Sequence, residues 1–169
     1  RNWLSCNSLL LKNHDEAVLI DTGYLTHADL TLRVLHEHLG GQPLTSILNT
    51  HLHSDHCGGN AKLQQFYTDV AIYIPSTQWE AVNSWDPNLL SFETTGQSCL
   101  KFSATHRLVA GSDVTICGLP WQVIGSPGHD ADSLMLFQPD ERILVSADAL
   151  WESSVSVVFP ALDGCDGFQ

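Results

Sequence analysis

No apolar run in this sequence approaches the ~20 residues that a membrane-spanning helix requires. No amino-terminal charged-then-apolar-then-small pattern is visible either, so a membrane partner is not expected. The chain opens at Arg1 rather than Met, which leaves room for a removed leader. Cations are scarce, with 7 Lys plus Arg against 19 Asp plus Glu and a net charge of −12. Such a surface repels phosphate backbones, and no basic stripe with interleaved aromatics offsets it, so nucleic acid is disfavoured as a partner. The 5 cysteines, Cys6, Cys57, Cys99, Cys117 and Cys165, are odd in number and form no C-x-x-C pair. That argues against a disulfide framework and fits a reducing compartment, the cytoplasm. Low-complexity tracts and clear linkers are absent too, and 43% apolar with 15% charged residues suits one folded domain over 1–169.

What the sequence does have is histidine, 9 residues of it, concentrated in Thr50-His51-Leu52-His53-Ser54-Asp55-His56-Cys57-Gly58-Gly59-Asn60. The stretch follows an apolar run, Leu44 to Leu48, that reads as a buried strand. In an extended chain alternate side chains face one way, so His51, His53 and Asp55 can converge on one point. His56 breaks that alternation as the chain leaves the strand. Gly58 and Gly59 then permit a tight turn into a helix, Asn60 to Tyr67. Two imidazoles plus an Asp-His pair describe a metal site with room for two ions. Each cysteine reads as a small buried apolar residue, Cys57 being the one to watch beside His56.

The flanking pattern is α/β. Ser8 to Leu11 and Ala17 to Ile20, split by a polar turn, read as a hairpin, which Asp21-Thr22-Gly23 closes. Thr26 to Leu39 has Leu30, Val34, Leu35 and Leu39 at helical spacing, stopped by Gly40-Gly41. Val70 to Ile74 is another buried strand, and Thr77 to Trp85 a short helix. Asp86 to Thr105 is a long, weakly patterned segment with Phe92 and Phe102, either a surface connection or a lid. From His106 onward short strands and turns dominate: Val114 to Cys117, Trp121 to Gly125, Ser133 to Phe137 and Arg142 to Ser146. A further apolar stretch, Val155 to Phe159, precedes a Gly/Asp-rich end. Two packed sheets with helices outside are expected.

Two weaker signals lie in the second half. His129 projects from a Ser126-Pro127-Gly128 turn, and alone reads as a surface histidine. Asp148, between small residues at a strand end, alone reads as a solvated acid or a helix N-cap. Both gain weight from what metal chemistry needs. Zinc takes about four ligands, and His129 would complete a three-histidine set with His51 and His53. Asp148 can bridge two ions, leaving Asp55 and His56 to hold the second.

Together these residues resemble the metallo-β-lactamase fold superfamily. The resemblance rests on the H-x-H-x-D-H signature at His51 to His56, on Pro127-Gly128-His129, on the strand-end Asp148 and on Asp21-Thr22-Gly23, and spans about residues 7 to 150. It implies an αββα sandwich with metals at one edge. It also implies His51, His53 and His129 as ligands of a first zinc, and Asp55, His56 and Asp148 as those of a second, Asp148 bridging. Asp21 corresponds to an acid that orients a ligand histidine. A final His in the signature and a bridging Asp resemble the thioesterase and lactonase branches, glyoxalase II among them. The implied activity is hydrolysis of an ester, thioester or lactone by a zinc-bound hydroxide, with Asp55 orienting the nucleophile or passing a proton. One or two zinc ions are expected, iron and manganese being alternatives, and the substrate is a small molecule. Rival readings are an iron-dependent sulfur dioxygenase using His51, His129 and Asp148, and a non-catalytic metal-binding module. Members of the family carry a further histidine downstream of the bridging Asp, whereas no His follows His129 here. A fragment lacking its carboxyl-terminal part is expected, with an under-liganded second metal position and an uncovered apolar face that favours self-association.

Overall fold

In the computed structural model, which describes residues 5–86, 89–152 and 157, an antiparallel hairpin opens the fold. Its strands are β1 (Leu9–Lys12) and β2 (Ala17–Ile20). Asn13 shapes the turn, its side-chain oxygen accepting the backbone N–H groups of Asp15 and Glu16 at 2.9 and 2.7 Å. Three strands then add in parallel: β3 (Ser46–Leu48), β4 (Ala71–Pro75) and β5 (His106–Leu108), giving the order β1-β2-β3-β4-β5. Parallel neighbours need long crossovers. Helix α1 (Ala28–Leu39) supplies the first, α2 (Ser54–Cys57) with α3 (Asn60–Phe66) the second, and α4 (Trp79–Ser84) with the following segment the third. A second, antiparallel sheet follows in chain order, β6 (Asp113–Ile116), β7 (Leu119–Gly125), β8 (Leu134–Gln138) and β9 (Ile143–Val145).

The uninterrupted apolar run Ala17–Ile20 explains the layering, because a strand covered on both faces has no polar side to show. Ala17 and Leu19 pack with Leu35 and Leu39 of α1 and Leu63 of α3. Val18 and Ile20, with Leu48 and Leu108, meet Ile116, Trp121, Val123, Leu134 and Leu136 of the second sheet. Each fully buried Leu or Ile contributes about 1.5–3 kcal/mol. The helices therefore lie on the outer face of the first sheet, and the second sheet packs on its inner face. These are three of the four layers of the expected α/β sandwich; among the described residues no α-helix enters the second core.

Most expected elements form close to their predicted limits. Helix α1 is preceded by a 3₁₀ turn at Leu25–His27 and stops at Gly40, left-handed at φ 61. Its buried stripe, however, is Ala28, Leu35 and Leu39 with Leu32 partly covered, while Leu30 and Val34 face solvent. The four-residue step from Ala28 to Leu32 sets that stripe, and Leu30 lies off it. His106 does not open the antiparallel sheet but completes the first one as β5, Tyr73 stacking on its ring at 4.4 Å. Residues 89–105 are neither an open connection nor a free lid. Leu90, Phe92 and Phe102 enter the helix-side core, and Trp85 lies 6.1 and 5.6 Å from the two phenylalanine rings. Gln97 meets the Ser54 hydroxyl, which ties the segment to α2.

Cys57, Cys99 and Cys117 form no disulfide with one another. Cys57 is directed into the helix-side core, 3.8 Å from the sulfur of Cys99, and joins no ligand cluster among the described residues. No helix among the described residues is long and apolar enough to cross a membrane. Cys165 and, apart from Val157, the stretch Val155 to Phe159 lie outside the described residues.

Candidate metal centre

Two loops at the carboxyl ends of β2 and β3 are sewn together before any histidine is placed. The Asp21 and Thr22 N–H groups donate to the carbonyls of Leu48 and His56 at 3.0 and 2.8 Å. The Thr22 hydroxyl donates to the Asn60 side chain at 2.8 Å, and Asn60 in turn donates to Asn49 at 2.7 Å. Gly58 and Gly59 are required for this closeness rather than for a special turn. Neither has positive φ, but an added Cβ would lie 2.5 Å from the Leu25 nitrogen and Ser54 carbonyl, or from the Thr22 carbonyl. Leu134 at the start of β8 donates to the Thr50 carbonyl at 2.9 Å, which brings the His129 turn alongside. Asp148 arrives on a 3₁₀ turn, Ala147–Ala149, just after β9.

The side chains converge in two linked groups. His51 Nε2 lies 3.1 Å from His53 Nδ1, which lies 2.9 Å from His129 Nε2. Asp148 Oδ2 sits 3.4 Å from His129 Nε2 and 3.2 Å from His56 Nε2, so one carboxylate oxygen stands between the groups. Asp55 comes within 4.0 Å of His56 Nε2 but completes no donor triad among the described residues. The strand ends at Leu48, so Asp55 does not continue an alternation with His51 and His53. Instead the His53 carbonyl accepts the N–H groups of His56 and Cys57, and Asp55 and His56 ride on the helical turn that results.

The rear nitrogens fix the tautomers. The Thr50 hydroxyl donates to Asp21 Oδ2 at 2.8 Å, so it must accept from His51 Nδ1 at 3.2 Å. His129 Nδ1 faces the Val157 carbonyl, which can only accept. In neutral rings both Nε2 atoms therefore present bare lone pairs to the centre. Asp21 also accepts the Thr50 N–H at 2.9 Å and faces His56 Nδ1 at 2.8 Å. Its backbone is left-handed at φ 56, an unfavourable conformation for a non-glycine residue that its bonds hold in place.

Burial and the surrounding imidazoles push His51 well below its ordinary pKa and His53 down to about 4, so both are neutral near pH 7. Burial favours neutral His56 as well, but Asp21 and Asp148 outweigh it and raise its pKa well above the usual value. Burial opposes the charge on Asp148, and the His56 hydrogen bond overcomes this and lowers its pKa. Sequence reasoning missed two neighbours. Cys6 clusters with Asp21 and His56, its thiol pushed up to about 11 by burial, and Asp130 lies 3.4 Å from His53 Nε2. Nothing in the spacing of Cys6 marks it; Asp130 adjoins His129.

Three imidazoles and a carboxylate are a donor set that zinc accepts, and tetrahedral zinc nitrogens stand about 3.3 Å apart. The observed spacings of 2.9 and 3.1 Å are close to that.

The chain is 28% identical over 150 residues to a hydroxyacylglutathione hydrolase of Xylella fastidiosa (strain 9a5c), covering 89% of this chain and 47% of that protein. It is 29% identical over 141 residues to the probable metallo-hydrolase YybB of Bacillus subtilis (strain 168), covering 82% and 59%. The chain thus spans about half the length of the curated relatives it matches. Among solved structures, BLEG-1 B3 metallo-beta-lactamase superposes with a TM-score of 0.74 at 27% identity, covering 90% of this chain and 71% of that one. The family profile described as the metallo-beta-lactamase superfamily matches residues 1–167, and the chain belongs to that superfamily.

Proposed function

We propose that this chain carries the metal-binding half of a hydrolase that cleaves an ester, thioester or lactone, with zinc as its metal. The observation that carries the reading is the meeting of three imidazole nitrogens at 2.9–3.1 Å with one Asp148 oxygen between His129 and His56. In this reading His51, His53 and His129 hold one ion, and Asp55, His56 and Asp148 a second. Bound zinc supplies Lewis acidity, acidifying water and polarising a carbonyl oxygen. The chain's own contribution is positional. Asp148 ties the two groups together through one oxygen, and Asp21 fixes His56 directly and His51 through Thr50. Asp55, half-buried beside His56, would orient the attacking water or take the proton that water gives up and pass it to the leaving group. A relative named hydroxyacylglutathione hydrolase supports an acyl-transfer substrate, and an odd set of 5 scattered cysteines with no C-x-x-C pair supports a reducing compartment such as the cytoplasm.

The test pairs metal analysis with a panel of esters, thioesters and lactones. Zinc bound at one or two ions per chain and turnover that chelation abolishes are the expected results. Iron as the bound metal, with oxygen uptake on a persulfide and no hydrolysis, would replace this reading with an oxygenase.

A further inference from the structure

The histidine whose orientation has the least obvious origin is His53. His51 and His129 face the centre with Nε2, their rear nitrogens held by the Thr50 hydroxyl and the Val157 carbonyl. His53 is turned the other way, with Nδ1 inward and Nε2 outward. Its inward nitrogen lies within 3.1 Å of two bare nitrogens, so in a metal-free protein a proton on Nδ1 could bridge to either of them. That tautomer would block the site. The outward nitrogen meets Oδ2 of Asp130 at 3.4 Å.

Asp130 is built to stay there. It is buried, and its other oxygen accepts the Asp132 N–H at 2.8 Å. Its own carbonyl accepts the Ser133 N–H at 3.2 Å. It also directly follows His129, so one short turn presents a ligand to the centre with one residue and braces a ligand from the other loop with the next.

We propose that Asp130 is a positioning residue for the metal centre: its carboxylate holds the His53 proton on Nε2 and so keeps Nδ1 bare and aimed at the ion. This rests on the metal reading above. A carboxylate behind a ligand imidazole fixes its tautomer and raises its basicity, and losing such a partner costs 10–100-fold in metal affinity. The nearby Asp132, whose contact with Asp130 is made by its backbone, serves as control.

Cobalt(II) titration of the full chain, followed by visible absorption, tests the proposal alongside nitrogen-15 NMR of the histidine rings without metal. Asp130→Ala is expected to weaken cobalt binding about 10–100-fold and to change the absorption envelope. Asp130→Asn, which keeps one acceptor oxygen, should recover part of both, and Asp132→Ala should match the wild type. The wild-type spectrum should show His53 with its proton on Nε2, moving to Nδ1 in Asp130→Ala. Wild-type affinity and absorption in a folded Asp130→Ala protein would overturn the proposal. So would an Nδ1 proton on wild-type His53, a measurement that does not depend on the variant folding. Failure of the wild type itself to bind cobalt would instead remove the metal reading, a distinct result.

Discussion

Asp21 Oδ2 stands 2.8 Å from His56 Nδ1, and both side chains are almost wholly buried. The same carboxylate accepts the Thr50 N–H and hydroxyl, so it anchors the rear of two histidines that belong to different donor groups. Removing it strands a buried imidazole, a hydroxyl and a backbone N–H at once. Asp21→Ala is expected to cost about 3–5 kcal/mol of stability, the range for a buried pair deprived of one partner. Asp21→Asn, which keeps shape but not charge, should cost less stability while lowering metal affinity about 10–100-fold. Denaturant unfolding and metal titration of both variants separate the two effects, and equal losses in both would argue against an orienting role.

Asp148 differs from Asp21 in being only partly buried, on a turn after the last described strand of the second sheet. Little packing is lost by truncating it. Asp148→Ala should therefore unfold within about 1 kcal/mol of the wild type. It should nevertheless lose turnover and any second ion, because Asp148 Oδ2 is within 3.4 Å of both His129 and His56. Circular dichroism, metal analysis and the hydrolysis panel check this together; retained turnover would remove Asp148 from the centre.

Gly58 and Gly59 make a purely steric prediction. An added methyl at either position would lie 2.5 Å from backbone atoms that cannot swing aside. The loops must part instead, which moves the Asp21 carboxylate away from His56. Gly58→Ala and Gly59→Ala are each expected to destabilise by about 1–3 kcal/mol and to weaken metal binding in step. Gly118→Ala is the control, since its added Cβ has nothing within 4 Å and only its φ of 80 is unfavourable. It should lose stability but leave metal affinity unchanged.

How far all this was legible depends on whether the signal was local. The strands were, because a doubly covered strand such as Ala17–Ile20 leaves a continuous apolar run in the sequence. The convergence of His51, His53 and His56 was, because all three are crowded into Thr50–Asn60. Asp55 was assigned the right neighbourhood by the wrong route, since extended alternation ends at Leu48 and a helical turn takes over. The two glycines likewise hold their places for close approach of the Thr22 loop, which no local pattern reveals. Cys6 and Asp130 act across 50 and 77 residues of chain, on His56 and His53, and only the pairing of β2 with β3 and the docking of β8 bring them in. Residues 89–105 were misjudged for a related reason: their polar composition hides three large side chains that anchor the segment in the core.

The histidines predict an unusual pH profile for the metal-free protein. His53 falls from 6.5 unfolded to about 4 folded, and His51 lies well below 6.5 for the same reason, burial. As pH drops from 6.5 toward 4 the unfolded chain takes up protons that these folded rings refuse, so stability falls, for His53 by on the order of 3 kcal/mol. His56 has the opposite sign. Its raised pKa gives a stabilisation fully present below 6.5 and lost as pH rises through the folded value. Asp148, held below its ordinary 3.8 by the His56 hydrogen bond, contributes a stabilisation that is constant across this window and is lost only at lower pH. The melting temperature of the chelated protein should therefore peak near pH 6.5 and decline on both sides. His53→Gln should flatten the acid limb and His56→Gln the alkaline limb. Thermal melts of the chelated wild type and both variants between pH 4 and pH 9 test each limb separately, and a wild-type melting temperature that rises without a break across the range would contradict the assignment of His56.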